Sequence, residues 1–352
     1  MARTGTRGGT TVPTLGGSWL AAGVLAPAAS GRVGSRTADG EARARRRTSS
    51  WVRLPAVLLA GVLAVTTLSS SAPLPAPRIL VGVYPGYSFP EDVDRYVDAV
   101  GVAPDIVMWF QNWDEPLYYE EQMRGVAERG VTPLITWSPG AGFDMRELLA
   151  GDYDDYIVRQ ADRAADWGRP VMIRPFHEMN GTWTSYGPPG TRPADFVSGW
   201  RHVVDLFRDR GVQNVSWVWT PNVMSEEQTA AVAPLYPGDA YTDWVGMDGY
   251  NFGAPWLEWR TLFEPTYRSI TSFTSKPFMI AEWGSAEGGG DKAAWITAFF
   301  RDMPEVMPGV DAVVSFNRVA EEDFRVDSSP AALAAYRAAL CGRESDGTGP
   351  AC

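Results

Sequence analysis

The stretch YDDYIVRQADRAADWGRPVMIRPF, residues 153–176, contains the alternation of elements that decides the fold. Apolar residues recur at helical spacing over residues 153–167, and Gly168 follows at the point where a helix is expected to end. Residues 171–176 form a short apolar run of the kind found in strands that are buried on both faces. A helix followed by such a strand is the repeating unit of a parallel sheet with crossover helices.

The same alternation extends in both directions along the chain. It predicts eight strands, at residues 79–84, 105–110, 132–136, 171–176, 215–220, 244–247, 277–281 and 312–316. Helices are predicted at residues 91–100, 119–129, 153–167, 193–210, 257–273, 292–301 and 330–340. The unit between the fifth and sixth strands is the weakest, because the stretch at residues 226–235 is short and contains Pro234.

Eight strand–helix units over residues 79–340 match the roughly 250 residues of a (β/α)8 barrel. An open doubly wound sheet usually has fewer strands and a phosphate-binding glycine loop after the first strand. Here Val83-Tyr-Pro-Gly86 follows the first strand instead. We therefore predict an α/β protein with a single catalytic domain, a (β/α)8 TIM barrel at residues 79–340. A linker at residues 73–78 precedes it, and a polar C-terminal tail at residues 341–352 follows it.

The N-terminal region differs in composition from the rest of the chain. Residues 1–53 contain nine arginines but only two acidic residues, although the whole chain has a net charge of -11. The remainder is therefore strongly acidic, which argues against nucleic acid as a partner. Residues 1–53 also lack apolar periodicity, and we interpret them as a disordered basic tail.

Residues 54–72 indicate export. An uncharged apolar run at residues 54–68 follows a basic flank and precedes small residues, as in a secretory signal peptide. The run is short for a membrane-spanning helix, which needs about 20 apolar residues, but its flanks extend it, so an uncleaved membrane anchor stays open. The expected location is extracellular, either secreted or anchored facing outside. Cys341 and Cys352 either close a C-terminal loop or stay unpaired.

Two glutamates follow strands on opposed parts of the predicted barrel. Glu178 comes directly after the fourth strand, and Glu282 comes directly after the seventh. Because barrel enzymes build their sites at the carboxyl ends of the strands, both side chains are expected at one mouth. Two carboxyl groups about 5 to 5.5 Å apart are the machinery of a retaining glycoside hydrolase, in which one is an ionised nucleophile and the other a protonated acid.

Other residue types at the strand ends fit a sugar site. Of the 15 tryptophans, several, including Trp183 and Trp283, lie at or just beyond strand ends, where flat rings suit the apolar faces of sugars. Asn222, after the fifth strand, is expected either to bind a sugar hydroxyl or to cap a loop. The two histidines, His177 and His202, are too few for a catalytic zinc site. No metal and no cofactor are expected, because carboxylates can carry out both protonation and covalent capture.

Four stretches resemble glycoside hydrolase family 26, a group of β-mannanases and β-glucanases. They are RPFHEMNGTW at residues 174–183, WTPN at 219–222, GMDGYN at 246–251 and IAEWG at 280–284, in the expected order and spacing. The resemblance covers the whole predicted barrel and implies a retaining (β/α)8 glycosidase. In the family the last strand usually supplies a tryptophan under the sugar, whereas Phe316 stands at that end here. This departure affects the fit of the substrate more than catalysis.

The resemblance also implies roles for individual residues. Glu178 would be the acid/base, with His177 beside it to set its orientation and proton affinity, and Glu282 would be the nucleophile. Tyr250 would donate a hydrogen bond to the nucleophile and so favour its ionised form. Trp183 would contact the sugar.

Two further polar residues are expected close to these glutamates. Arg174 matches a basic residue in the mouth of the barrel, and it is expected either to bind substrate or to orient a carboxylate. Asp248 lies on the same side of the sixth strand as Tyr250, because side chains two residues apart face the same way. It is expected either to contribute to the site or to make a structural hydrogen bond.

The expected function is a secreted retaining endo-β-glycosidase that acts as a monomer on a polysaccharide, with β-1,4-mannan as the first substrate. A β-1,3-1,4-glucanase and a xylanase are the alternatives within the same chemistry. A different class of function is a non-catalytic carbohydrate-binding barrel that takes part in envelope polysaccharide assembly, associated with the membrane through residues 54–68. The presence of both glutamates argues against that class.

Overall fold

Eight parallel strands pair in chain order, and the last pairs with the first, so that the sheet closes into a barrel. The computed structural model describes residues 78–341. Within them the strands are β1 (Leu80–Tyr84), β2 (Ile106–Asn112), β3 (Thr132–Ser138), β4 (Val171–Pro175), β5 (Val215–Trp219), β6 (Trp244–Asn251), β7 (Phe278–Ser285) and β8 (Val310–Phe316). The predicted (β/α)8 barrel is confirmed. The expectations for residues 1–77 and for Cys352 lie outside the described residues.

The helices of residues 78–341 alternate with the strands. They are α1 (Glu91–Val100), α2 (Glu120–Glu128), α3 (Met145–Ala150), α4 (Asp154–Trp167), α5 (Pro193–Asp209), α6 (Trp259–Thr271), α7 (Lys292–Val306) and α8 (Pro330–Leu340). α4 ends at Gly168, as its sequence predicts. The side chains of Asp291 and Ser329 accept hydrogen bonds from backbone N–H groups in the first turns of α7 and α8, which stabilises both helix starts.

Two connections differ from the sequence prediction. Between β5 and β6 the chain forms three short 3-10 helices, Thr229–Ala231, Ala233–Leu235 and Asp239–Tyr241, instead of an α-helix. Pro234 lies in the second of them, and a proline lacks the N–H that a continuous helix would need. The second difference is α3, which is only six residues long and was not predicted.

The apolar core has two layers, one inside the barrel and one between the barrel and the helices. The inner layer is built by alternate strand residues such as Met108, Leu134 and Met172. Their neighbours in sequence, such as Val107 and Ile173, point outward and pack in the layer beneath the helices. This alternation is the normal period of two in a strand, and it leaves the carboxyl ends of the strands to form the site.

β7 contains an irregularity that changes which side chains enter the barrel. Met247 of β6 is opposite Ile280, but the next residue, Asp248, is opposite Glu282, so that Ala281 is an extra residue. Ala281 packs in the inner layer, whereas Trp283 packs in the outer layer. With strict alternation, the inward-facing Ala281 would be followed by an outward-facing Glu282 and an inward-facing Trp283. The β-bulge reverses this, so that Glu282 faces inward and Trp283 faces outward.

No helix between residues 78 and 341 has both the length and the apolar character that crossing a membrane requires.

Candidate active site

Glu178 lies on a strained turn directly after β4. Phe176 and Glu178 have positive φ angles of 51° and 53°, a backbone conformation that residues other than glycine rarely adopt. Such a residue costs about 1–3 kcal/mol and persists only when its surroundings hold it. The Glu178 N–H donates to the Thr220 carbonyl at 2.9 Å, and the buried Phe176 ring packs against Tyr186 with ring centroids 5.3 Å apart. This turn places the Glu178 carboxyl group at the carboxyl end of β4, where the site of the barrel is built.

The carboxyl group of Glu178 is held by two donors. Trp183 Nε1 donates to Oε2 at 2.7 Å, and Asn222 Nδ2 donates to Oε1 at 2.7 Å. The residue is only 3% exposed. Burial, followed by the negative charge of Glu282, raises the pKa of Glu178 to about 7, although the two donors oppose the rise. A carboxyl group with this pKa can both donate and accept a proton near neutral pH.

Asn222 is itself positioned by Asn180, a residue of the HEMNG stretch whose role the motif did not predict. Asn180 Nδ2 donates to the Asn222 carbonyl at 2.9 Å, and the Asn222 N–H donates to Asn180 Oδ1 at 2.8 Å. These reciprocal bonds join the loops after β4 and β5. The sequence predicts that Asn222 either contacts a sugar or caps a loop. The structure adds a third role, because the Asn222 side chain donates to the Glu178 carboxyl group.

A glycine allows Trp183 to reach Glu178. A Cβ atom at Gly181 would lie 2.4 Å from atoms of the Trp183 indole. No side chain fits in that space, so the indole lies directly against the backbone of the loop. Trp183 is half-buried.

Glu282 lies in a different environment from Glu178. Arg174 Nη2 donates to Oε1 of Glu282, and the Tyr250 hydroxyl donates to Oε2. Burial, together with the charge of Glu282, raises the pKa of Tyr250 well above its usual value, so the hydroxyl keeps its proton and remains a donor. A guanidinium and a hydroxyl that donate to one carboxylate make charge-assisted hydrogen bonds, which are stronger than bonds between neutral groups. The geometry at Tyr250 agrees with the role implied by the resemblance.

Arg174 does not reach the surface of the mouth. Its side chain is completely buried, and Nη1 donates to Asp248 Oδ1 at 2.7 Å while Nε donates to Thr136 Oγ1 at 2.9 Å. Arg174 thus lies between the carboxylates of Asp248 and Glu282. The expectation that it binds substrate directly is wrong, because its donors are already engaged inside the barrel. It orients a carboxylate, which was the alternative expectation, and Asp248 makes the structural contact that holds it.

His177 is half-buried, and its neighbours hold it in place. Its Nδ1 lies 2.7 Å from Ser138 Oγ, and its ring meets the Phe110 ring edge to face with centroids 5.6 Å apart. The Tyr186 hydroxyl donates to the His177 carbonyl at 2.8 Å. Burial and the positive charge of Arg174 lower the pKa of His177 well below its usual value, so the ring is neutral. These bonds fix the backbone immediately before Glu178.

Trp283 does not lie in the mouth, and the predicted sugar contact is wrong. Its side chain is 2% exposed and packs between the barrel and the helices. Its ring centroid is 5.2 Å from that of Trp295 and 5.2 Å from that of Phe299, both on α7. The bulge in β7 places Glu282 inside the barrel and Trp283 on the opposite side of the strand. Trp283 therefore contributes to the core.

Phe316 closes β8 beside Tyr250, the residue that donates to Glu282. Its ring meets the Tyr250 ring at 90° with centroids 5.4 Å apart, and it lies 4.9 Å from the Tyr84 ring. A phenyl group therefore occupies the end of the last strand, where the family usually places an indole. Among residues 78–341, no three side chains of the His, Cys, Asp and Glu types come together as metal ligands.

Comparisons with known proteins agree with the fold and the motifs. The family model for Glycosyl hydrolase family 26 matches residues 132–312. Endoglucanase H of Acetivibrio thermocellus is 33% identical over 279 residues, which are 76% of this chain and 30% of that protein. Mannan endo-1,4-beta-mannosidase A and B of Caldalkalibacillus mannanilyticus is 31% identical over 277 residues, covering 65% of this chain and 52% of that protein. The chain therefore spans only 30% of the length of the first relative and 52% of the length of the second.

Solved structures share the barrel at lower identity. The catalytic domain of the endo-beta-1,4-mannanase from Bacillus sp. JAMB-750 has a TM-score of 0.62 and 19% identity, covering 75% of this chain and 85% of that one. A modular endo-beta-1,4-mannanase from Cellulomonas fimi has a TM-score of 0.60 and 19% identity, covering 75% and 70%. At these identities the likeness concerns the fold alone, and the family rests on the match over residues 132–312. This chain belongs to glycosyl hydrolase family 26.

Proposed function

We propose that the protein is a retaining endo-β-glycosidase in which Glu282 is the nucleophile and Glu178 is the acid/base. The observation that carries the proposal is the contrast between two buried carboxyl groups in one mouth. Glu282 receives hydrogen bonds from the Arg174 guanidinium and the Tyr250 hydroxyl, which hold its two carboxylate oxygens in place. Burial and the charge of Glu282 raise the pKa of Glu178 to about 7, which keeps a proton available. A double displacement needs two carboxyl groups with different roles, one as the nucleophile and one as the proton donor.

In the first step Glu178 donates its proton to the glycosidic oxygen as the bond from that oxygen to the anomeric carbon breaks. Glu282 attacks the anomeric carbon from the opposite face, and a covalent glycosyl–enzyme ester forms. In the second step Glu178, now ionised, takes a proton from water, and the water oxygen attacks the same carbon as the ester bond breaks. Two inversions give net retention of configuration.

The charge on Glu282 couples the two steps. While Glu282 is ionised, its charge raises the pKa of Glu178 and favours the acid form that the first step requires. Esterification removes that charge, so the pKa of Glu178 falls at the moment when it must act as a base. Arg174, Tyr250 and the two donors to Glu178 remain in place throughout, so the site needs little rearrangement.

For the substrate, we place β-glucan first and β-1,4-mannan second. Endoglucanase H matches more of this chain, and at slightly higher identity, than the mannosidase A and B does. Phe316 at the end of β8, where the family usually has a tryptophan, also bears on the fit of the substrate. Mannan stays the second candidate because several relatives are mannan endo-1,4-beta-mannosidases. Xylan is the remaining alternative substrate.

We also propose that the protein is exported, because residues 54–72 have the pattern of a secretory signal peptide.

The proposal is tested by incubating the purified protein with mixed-linkage β-glucan, β-1,4-mannan and xylan. We expect a rapid fall in polymer length with one substrate, and NMR of the first product should show the β anomer. A 2-deoxy-2-fluoro glycoside with a good leaving group should label Glu282, as located by peptide mass spectrometry. An α anomer as first product would refute retention, and glycan binding without turnover would favour the non-catalytic barrel.

The pH dependence of kcat/KM should report the protonation of Glu178. The acid form is needed in the first step, so kcat/KM should fall about tenfold per pH unit above the pKa of about 7. Replacing Trp183 with phenylalanine keeps a ring but removes the N–H that stabilises the carboxylate. The pKa of Glu178 should rise, and the alkaline limb of the pH profile, the range in which kcat/KM falls, should move to higher pH.

The matched control for this change is Trp256→Phe, because Trp256 Nε1 donates to Glu258 instead. It should leave the alkaline limb where it is in the wild type. If the alkaline limb of the Trp183→Phe variant stays in place or moves to lower pH, the result would contradict the assignment of Glu178 as the acid.

A further inference from the structure

An exposed tyrosine lies on the rim of the barrel between β1 and β8. Tyr87, in the loop after β1, is 77% exposed. Arg318, just after β8, places its guanidinium carbon 4.3 Å from the centroid of the Tyr87 ring. This cation–π contact holds one face of a ring that would otherwise rotate freely in solvent.

Arg318 is anchored beneath that ring. Its Nη1 donates to the Tyr84 hydroxyl at 3.3 Å, and its Nε donates to the Val319 carbonyl at 3.1 Å. Tyr84 is buried, and its ring meets the Tyr87 ring edge to face with centroids 6.1 Å apart. We call Tyr84, Tyr87 and Arg318 together the rim platform. A buried residue thus supports the exposed ring of the platform.

The backbone that carries Tyr87 is also fixed. The Ser88 N–H donates to Asp92 Oδ2 at 2.8 Å. Gly86 has a φ of 133°, and a Cβ atom there would lie 2.4 Å from Asp92 Oδ2, so only glycine allows this approach. The loop therefore presents Tyr87 in a defined position. An aromatic ring that is ordered before a ligand arrives loses little conformational entropy on binding.

Aromatic contacts connect the rim platform to the proposed nucleophile. The Tyr84 ring lies 4.9 Å from the Phe316 ring, which in turn lies 5.4 Å from the Tyr250 ring. Tyr250 donates to Glu282. A polysaccharide whose reacting sugar lies at Glu282 and whose chain leaves the mouth over Phe316 would reach the platform with one of its outer sugars.

We propose that the rim platform binds an outer sugar ring of the same polysaccharide chain, beyond the sugar that reacts at Glu282. The proposal rests on the proposed function. Tyr87 supplies a flat apolar surface for the C–H face of a sugar, and Arg318, on the opposite face of the ring, holds that surface in place. The rim platform contributes affinity for long chains and takes no part in bond cleavage.

The test compares Tyr87→Ala with the wild type on two substrates. On the polysaccharide, or on a long oligosaccharide, kcat/KM should fall about three- to tenfold, mainly through KM, as expected for the loss of one aromatic contact. On a short aryl glycoside that fills only the reacting position, kcat/KM should stay unchanged. Tyr87→Phe, which keeps the ring, should remain close to the wild type on both substrates.

Tyr119→Ala is the control for removing an exposed tyrosine elsewhere, because Tyr119 is 45% exposed and precedes α2. It should leave both substrates unaffected. An equal loss on long and short substrates for Tyr87→Ala, or no loss on either, would overturn the proposal.

A binding measurement separates failure of the rim platform from failure of the proposed function. Affinity electrophoresis of the same variants in gels that contain soluble β-glucan or mannan needs no turnover. If the wild type binds without hydrolysis and Tyr87→Ala binds more weakly, the rim platform stands and the proposed function falls. Hydrolysis by the wild type with unchanged binding by Tyr87→Ala overturns the platform alone. Absence of both binding and hydrolysis overturns both.

Discussion

Replacing Glu282 with alanine is expected to reduce kcat on the polysaccharide by at least about 10⁴-fold, the scale seen when an enzyme loses its nucleophile. Without this carboxylate no covalent intermediate forms, and the anomeric carbon loses the negative charge that stabilises its transition state. Activity should be measured on the substrate identified for the wild type. Added azide should restore part of the turnover of an activated β-glycoside, because a small anion fits in the vacated space, and the product should be the α-glycosyl azide.

The controls address folding and charge. Arg174 loses one of its two carboxylate partners in Glu282→Ala but keeps Asp248. Glu282→Gln preserves the size of the side chain, and circular dichroism with thermal unfolding should show that both variants fold. Retained turnover in both variants, or a β-glycosyl azide from Glu282→Ala, would exclude Glu282 as the nucleophile.

Replacing Glu178 with alanine is expected to give a loss that depends on the leaving group. Hydrolysis of the polysaccharide should fall about 10²- to 10⁴-fold, the range for removal of a general acid. A substrate with an activated aryl leaving group needs no proton in the first step, so the covalent intermediate should still form and should accumulate. Pre-steady-state kinetics with a dinitrophenyl glycoside should show a burst of phenolate followed by slow turnover.

Azide again provides a readout of geometry. In Glu178→Ala it would attack the covalent intermediate from the side of the missing base, and the product should be the β-glycosyl azide, the opposite anomer to that from Glu282→Ala. The alkaline limb that reports the Glu178 pKa of about 7 should also disappear. Equal losses on activated and natural substrates would argue that Glu178 is structural.

Much of the barrel follows from local patterns. Residues 91–100 and 330–340 are helices with the predicted bounds, because their apolar spacing and end signals agree. In the connection between β5 and β6 the apolar spacing and the helix end signals do not agree, and there the chain forms 3-10 helices around Pro234. β6 and β7 extend about four residues beyond their predicted ends, into the polar residues of the site, because pairing in the closed sheet continues past the apolar run.

For the site, motifs predict which residues take part but not their contacts. The positions of Glu178, Glu282 and Tyr250 at strand ends were evident from the chain. The support from Asn180, Ser138 and Tyr186 was not. Asn180 and Ser138 reach residues from neighbouring strands or their loops, whose approach depends on closure of the barrel, and Tyr186 bonds within the folded loop after β4. Tyr87 carried no motif, and only its contact with Arg318 from the far end of the chain distinguishes it from an ordinary surface tyrosine.

By itself the amino-acid sequence determined the number and order of the strands and brought two glutamates to one end of them, since hydrophobic periodicity and chain order act locally. The tertiary structure decided which way the residues of β7 face. An extra residue at Ala281 directs Glu282 inward to Arg174 and Tyr250 and directs Trp283 outward to α7. A bulge arises from the pairing of neighbouring strands, and that pairing becomes defined only when the barrel closes.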